Sequence, residues 1–363
     1  MKILIMHQTI AAHDAIGTDI EMMYQILKKK YDCVCYAINA FNSHVEYISS
    51  EEILQYIDDS ANMIIYHHSV YWEAGEKYLK QAKAQIVFRY HNITPAYFFE
   101  PYNEFHYAQC KLGREQTQHL VKEFPQAFWL ADSIFNTTDL DCVEQERIGI
   151  CPPFHKIEIW SEAVPKEEIL KKLLESGQLN LLFVGRVAPN KGHLFLIEAL
   201  YWYCKNFDCN VKLHIIGKFD SGLSGYNDII EEKIKKYGLR NNIEFIGEID
   251  DSILMSYYLG CDIFVCASEH EGFCVPLIES QFFELPIIAL DSTAVGETLG
   301  TEQIVLAKSE ENFAAAFKVI KDNLYYTKYL REQGKKNYEE RFAYEKIEKC
   351  FLQFFNEKMG VRL

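Results

Sequence analysis

Short apolar runs alternating with helix-patterned stretches constrain this chain more than any other feature. Lys2–Met6, Val34–Ile38, Met63–Tyr66, Ile86–Tyr90, Phe128–Ala131 and Ile148–Cys151 read as short strands. Between the first two, Ile20, Met23, Tyr24 and Leu27 share one face at helical spacing. Alternation of this kind implies βαβ units and a parallel sheet. Cys151-Pro152-Pro153-Phe154-His155 breaks the rhythm, and a charged, helical segment follows as far as Gly177. A second rhythm then runs through Asn180–Val184, Val211–Ile216, Ile243–Ile246, Asp262–Ala267, Ile287–Leu290 and Ile304–Leu306. Phe313, Phe317, Ile320 and Leu324 form one amphipathic face, and Tyr344, Ile347, Phe351, Phe354 and Phe355 another. The expectation is an α/β protein of two Rossmann-like, doubly wound domains facing a central cleft. Residues 1–155 form the first domain, 156–178 a hinge and 179–340 the second domain. Residues 341–363 form a helix returning to the first domain. A length of 363 residues allows each domain its own core.

Composition removes several classes. A net charge of −15 argues against nucleic acid and against strong electrostatic docking on anionic lipid. Weak membrane contact stays open. No apolar run reaches spanning length and no signal pattern opens the chain, so a cytoplasmic protein is expected, with room for contact at the inner membrane face. The 11 cysteines are scattered without C-x-x-C pairs and read as reduced core residues, not zinc ligands or disulfides.

The most informative stretch is Ser268-Glu269-His270-Glu271-Gly272-Phe273-Cys274-Val275-Pro276-Leu277-Ile278-Glu279. It follows a buried strand, turns at Gly272 and enters a helix through Pro276, a favourable first helical residue. Backbone N–H groups converging at such a turn bind phosphate. Glu271 and Glu279, with seven residues between them, would repel a bare phosphate but accept hydrogen bonds from hydroxyls. A sugar nucleotide carries both chemistries. Taken alone, the two carboxylates are explained as well or better by a helix start. The second stretch, Leu182-Phe183-Val184-Gly185-Arg186-Val187-Ala188-Pro189-Asn190-Lys191-Gly192, tips the balance. Gly185 permits a sharp turn after a strand, and Arg186 and Lys191 project from the loop. Both can converge on one diphosphate, Arg186 as a fork and Lys191 as a point charge.

V-G-R-x4-K-G followed by E-G-F-x-x-P-x-x-E closely resembles the retaining GT-B glycosyltransferases of family 4, glycosyl transferases group 1. The resemblance covers the whole second domain, including Phe245–Ile249 and Val295-Gly296-Glu297. It implies that Arg186 and Lys191 bind the donor diphosphate, Glu279 the ribose hydroxyls and Glu271 the donor sugar. The backbone at Gly272, Phe273, Cys274 and Val275 would complete the cradle after Gly185. Gly217, Lys218 and Ile249 would lie near the base. Cys274 stands where many relatives have glycine.

In the first domain, Phe88-Arg89-Tyr90-His91-Asn92-Ile93-Thr94-Pro95 ends a strand and places His91 where relatives carry a histidine beside the donor sugar. A lone histidine is more often structural; its position favours function here. Asn92 and Thr94 are weaker candidates. Thr9, His13, Asp14 and Gly17, in the loop after the first strand, are acceptor-side candidates, with helix capping equally able to explain Asp14. Ser133 in Ala131-Asp132-Ser133-Ile134-Phe135-Asn136 reads as structural. The aromatic run Tyr97-Phe98-Phe99-Glu100-Pro101-Tyr102 reads as loop packing, with a sugar-stacking or lipid-facing lip as the sharper alternative.

The resemblance thus implies retaining transfer of a glycosyl unit from a nucleoside diphosphate sugar, of UDP-glucose type or UDP-glucuronate, to a hydroxyl of a glycan or lipid-linked glycan. Surface or exopolysaccharide synthesis is the implied setting. Glu271, His91, Arg186 and Lys191 would carry the chemistry. No cofactor and no metal are expected, since no carboxylate cluster has metal-ligand spacing. GDP-mannose is the runner-up donor. A sugar-nucleotide epimerase, a phosphorylase and a non-catalytic sugar-nucleotide binder are the competing readings.

Overall fold

The computed structural model describes residues 1–12, 14–160 and 164–361. Contacts divide the chain into two units. The first comprises Met1–Ala96, Phe105–Lys156 and Tyr344–Leu363, and the second Tyr97–Glu104 and Ile157–Ala343.

The first unit holds strands β1 (Lys2–Met6), β2 (Asp32–Tyr36), β3 (Met63–His68), β4 (Gln85–Tyr90), β5 (Phe128–Ala131) and β6 (Ile148–Ile150). They form one sheet in the order β2-β1-β3-β4-β5-β6, with every pairing parallel. A parallel sheet is covered on both faces, which is why these strands read as continuous apolar runs. Two apolar layers do the covering. One joins Ile3, Ile5, Ile20, Met23 and Leu27 to Ile347, Phe351, Phe354 and Phe355 of the helix Tyr344–Lys358. The other joins Leu4, Tyr66, Trp72, Phe88 and Trp129.

The second unit holds β7 (Leu179–Val184), β8 (Val211–Ile216), β9 (Ile243–Gly247), β10 (Ile263–Cys266), β11 (Ile287–Leu290) and β12 (Ile304–Leu306). Their order is β9-β8-β7-β10-β11-β12, again all parallel. Both sheets are therefore doubly wound, as expected. In such sheets, ligands bind outside the strand carboxyl ends where the order reverses. That point lies between β1 and β3 in the first unit, and between β7 and β10 in the second.

Two segments sit differently from expectation. Much of the hinge assigned to 156–178 is packed second-unit structure: Leu173 lies in the core with Tyr257, Tyr258 and Phe264, and the Lys166 amide donates to Ser256 Oγ at 2.8 Å. The aromatic run also belongs to the second unit. Tyr102 meets Tyr226 edge-on with centroids 5.1 Å apart, and Asn103 Nδ2 donates to the Gly222 carbonyl at 2.6 Å. Among the described residues no helix is long and apolar enough to cross a membrane.

Candidate active site

In the second unit, the loops after β7 and β10 meet at the switch point. The Glu269 amide donates to the Asn190 carbonyl at 2.8 Å, and Asn190 Nδ2 donates to the His270 carbonyl at 3.3 Å. The approach is close enough to demand glycine. At Gly192, with φ +71°, an added Cβ would stand 1.9 Å from the Ala267 carbonyl oxygen. At Gly217, with φ +145°, it would stand 2.0 Å from the Gly185 carbonyl oxygen. The Gly217 and Gly185 amides continue the sheet, donating to Gly247 and Ile216. These positive φ values and contacts leave no room for a side chain.

Lys191 Nζ lies 2.6 Å from Glu271 Oε1. Burial alone would lower the Lys191 pKa, but the Glu271 carboxylate outweighs it and holds the ammonium charged, above its usual range. Arg186 is exposed and forms no ion pair among the described residues, so its fork remains available to an anion. Lys218 is also exposed, and Ile249 packs partly against the core. Among the described residues no side chain caps the helix His193–Asn206, which begins at Gly192, or the helix Val275–Phe282, which begins at Cys274. Two uncapped helix starts, one exposed arginine and one lysine make a strongly anion-attracting corner. Phe273 contributes backbone only, because its ring is buried against Phe342.

Glu271 is itself clamped. Thr293 Oγ1 accepts from its amide and donates to its carbonyl, each at 2.9 Å. Thr293 has φ +41° and Cys274 φ +76°, both in the left-handed region that favours glycine. Strained backbone concentrates at functional sites, and Thr293, which no sequence motif announced, joins the candidate site through the Glu271 backbone. Glu279 is buried and hydrogen-bonded by the Tyr258 hydroxyl. Burial raises its carboxyl pKa to about 7, against the lowering effect of that hydrogen bond.

In the first unit, His91 stands at the carboxyl end of β4. Its Nδ1 lies 2.8 Å from Asp132 Oδ2, and its Nε2 lies 2.9 Å from His67 Nδ1. Both ring nitrogens are thus engaged within the unit. Beneath them Arg89, fully buried, places Nε 2.8 Å from Asp19 Oδ2, Nη2 2.9 Å from Asp132 Oδ1 and Nη1 2.8 Å from the Cys151 carbonyl. Asp19, His67 and His91 are close enough to hold an ion. However, Asp19 Oδ2 already accepts from Arg89, and the two imidazoles are at hydrogen-bonding separation. The arrangement suits a proton better than a metal. Burial, with His91, His7 and Arg89 nearby, keeps His67 well below the usual histidine range.

Of the remaining first-unit candidates, Asp14, Gly17, Thr9 and Asn92 have structural engagements. Asp14 caps the helix Ala15–Lys28, accepting from the Gly17 amide at 2.6 Å. Gly17 passes so near the Ala11 carbonyl that a Cβ would stand 1.7 Å from it. The Thr9 carbonyl meets His7 Nδ1 at 2.6 Å. Asn92, at φ +66°, donates to Asp139 at 3.3 Å, and Thr94 is half-buried. Ser133, read from sequence as structural, caps a helix: its Oγ accepts from the Asn136 amide. His13 lies outside the described residues.

A family profile for glycosyl transferases group 1 matches residues 165–338. Those residues form a glycosyl transferases group 1 domain. The group 1 match takes in every donor-side candidate from Gly185 to Glu279 and none of the first-unit ones. An uncharacterized glycosyltransferase of Methanocaldococcus jannaschii is 25% identical over 221 residues, 60% of this chain and 54% of its own. The capsular polysaccharide biosynthesis glycosyltransferase CapM of Staphylococcus aureus is 28% identical over 202 residues, 53% of this chain and 51% of its own. The chain spans about half the length of these curated relatives. The crystal structure of Anabaena HepE in complex with UDP-glucose superposes with a TM-score of 0.77 at 15% identity, over 97% of this chain and 98% of that one. The fold of the chain is therefore GT-B.

Proposed function

We propose that this chain is a retaining glycosyltransferase using a nucleoside diphosphate sugar, of UDP-glucose type or UDP-glucuronate, with a hydroxyl of a glycan or lipid-linked glycan as acceptor. Surface or exopolysaccharide synthesis is the proposed setting. The observation that carries the reading is the switch-point corner of the second unit, where exposed Arg186, the Lys191–Glu271 pair and two uncapped helix starts converge. The UDP-glucose complex of HepE supports the base and the sugar class. The name of CapM supports the setting.

In the proposed reaction, the acceptor oxygen bonds to the anomeric carbon on the face the diphosphate leaves. The bond from that carbon to the phosphate oxygen breaks, and the departing oxygen takes the acceptor proton. Negative charge grows on the diphosphate, where Arg186, Lys191 and the start of the helix Val275–Phe282 stabilise it. Glu271 accepts a sugar hydroxyl, and its contact with Lys191 ties sugar position to phosphate position. The reaction is proposed to need no metal.

The test is incubation of the chain with UDP-glucose, UDP-glucuronate and GDP-mannose in the presence of EDTA, followed by proton NMR of the anomeric signal. Release of nucleoside diphosphate with retained configuration supports the reading. Inverted product refutes retention. Interconversion of donor sugars without diphosphate release would favour an epimerase.

A further inference from the structure

The carboxylate of Glu279 poses a problem that the site as described does not solve. It is only 5% exposed, and among the described residues no lysine or arginine pairs with it. The ionisable groups that interact with it are Tyr258 and Asp251, from the helix Asp251–Gly260, and Tyr338, from the helix Leu324–Arg341. Cys274, at the start of Glu279's own helix, faces Tyr258. None is a cation. A buried carboxylate held by a single hydroxyl is costly unless a ligand completes its hydrogen bonds.

That hydroxyl belongs to Tyr258, itself fixed by packing. Tyr258 is 1% exposed, and its ring stacks on Phe283 at 5.4 Å and Phe264 at 6.3 Å. Its hydroxyl donates to Glu279 Oε2. One carboxylate oxygen is thus tied down.

We propose that Tyr258 is a positioning residue for donor recognition: its hydroxyl fixes the Glu279 carboxylate as the acceptor for the ribose hydroxyls of the nucleotide. The inference rests on the proposed donor site and adds a residue outside both sequence motifs. Tyr258 acts through Glu279 and touches no ligand.

Tyr258→Phe keeps the stacked ring and removes only the donor, so the variant should fold. The experiment is calorimetric titration with UDP, GDP and ADP and with the 2′-deoxy form of each. The wild type should prefer the ribonucleotide over its deoxy form by roughly tenfold or more, the effect of one hydrogen bond to a charged group. Tyr258→Phe should lose most of that preference while binding the deoxy form unchanged. A pH series separates orientation from mere packing. A carboxylate must be ionised to accept both hydroxyls, and the tyrosine bond favours the ionised form. Ribonucleotide affinity should therefore rise with pH around neutrality, and its midpoint should move to higher pH in Tyr258→Phe. Undiminished ribose preference in the variant, or equal weakening of both nucleotide forms, overturns the inference while leaving the donor site standing. Failure of the wild type to bind any of the diphosphates overturns both.

Discussion

Replacing Arg89 with methionine should damage the first unit more than any surface change could. The guanidinium is fully buried and meets Asp19 at 2.8 Å, Asp132 at 2.9 Å and the Cys151 carbonyl at 2.8 Å. Methionine fills much of the stem volume, so the loss is chiefly electrostatic: two buried carboxylates lose the cation they share. Breaking a buried pair by removing one partner costs about 3–5 kcal/mol. For a unit of this size that corresponds to a drop in melting temperature of roughly 6–20 °C. Thermal unfolding followed by tryptophan fluorescence suits the question, because Trp72 and Trp129 are both buried in this unit. The decisive control is the triple variant Arg89→Met, Asp19→Asn, Asp132→Asn. Removing the stranded charges should recover a large part of the loss, since neutral replacement of a whole buried network is far less costly than breaking it. A single variant that melts within a degree or two of wild type refutes the reasoning. So does a triple variant no more stable than the single one, which would assign the loss to packing.

Two further perturbations have calculable signs. Gly217→Ala brings a Cβ to within 2.0 Å of the Gly185 carbonyl oxygen at φ +145°, so roughly 2–4 kcal/mol of stability should be lost and nucleotide binding with it, as read by melting with and without UDP. Acid should weaken the first unit through His68, whose burial lowers its pKa to about 3 from 6.5. Between those values only the unfolded chain takes the proton, so stability is intact above pH 6.5 and falls as pH falls, by about 2 kcal/mol from pH 6.5 to 5. His68→Gln should flatten the melting temperature between pH 7 and 5; an unchanged slope would show that His68 charges in the folded state.

The two sheets were legible because parallel strands, buried on both faces, leave uninterrupted apolar runs. The meeting of the two second-unit loops was legible because their residues are local: Gly185 to Lys191 follow one strand and Ser268 to Glu279 another, and the switch point joins those two strand ends. The His67–His91–Asp132–Arg89–Asp19 cluster was not, because four separate elements supply it and no spacing connects them. A trace was present in the parallel pairing of His67 with Arg89 and His68 with Tyr90, which places ionisable residues at adjacent strand ends. Thr293 and Tyr258 were invisible for the same reason: each acts through a contact with a motif residue rather than from within the motif. The aromatic run Tyr97–Tyr102 gave its composition but not its destination, because the edge-on contact of Tyr102 with Tyr226 depends on tertiary placement.

The central claim is that the second unit binds a nucleoside diphosphate through the corner built by Arg186 and Lys191. The most direct measurement is thermal stabilisation by UDP-, GDP- and ADP-sugars without metal, for wild type and for Lys191→Ala. A ligand that binds only the folded state raises the melting temperature by mass action. The account predicts stabilisation by one nucleotide family, UDP-sugars, that is abolished in Lys191→Ala. No stabilisation by any of them, or equal stabilisation of the variant, would contradict it.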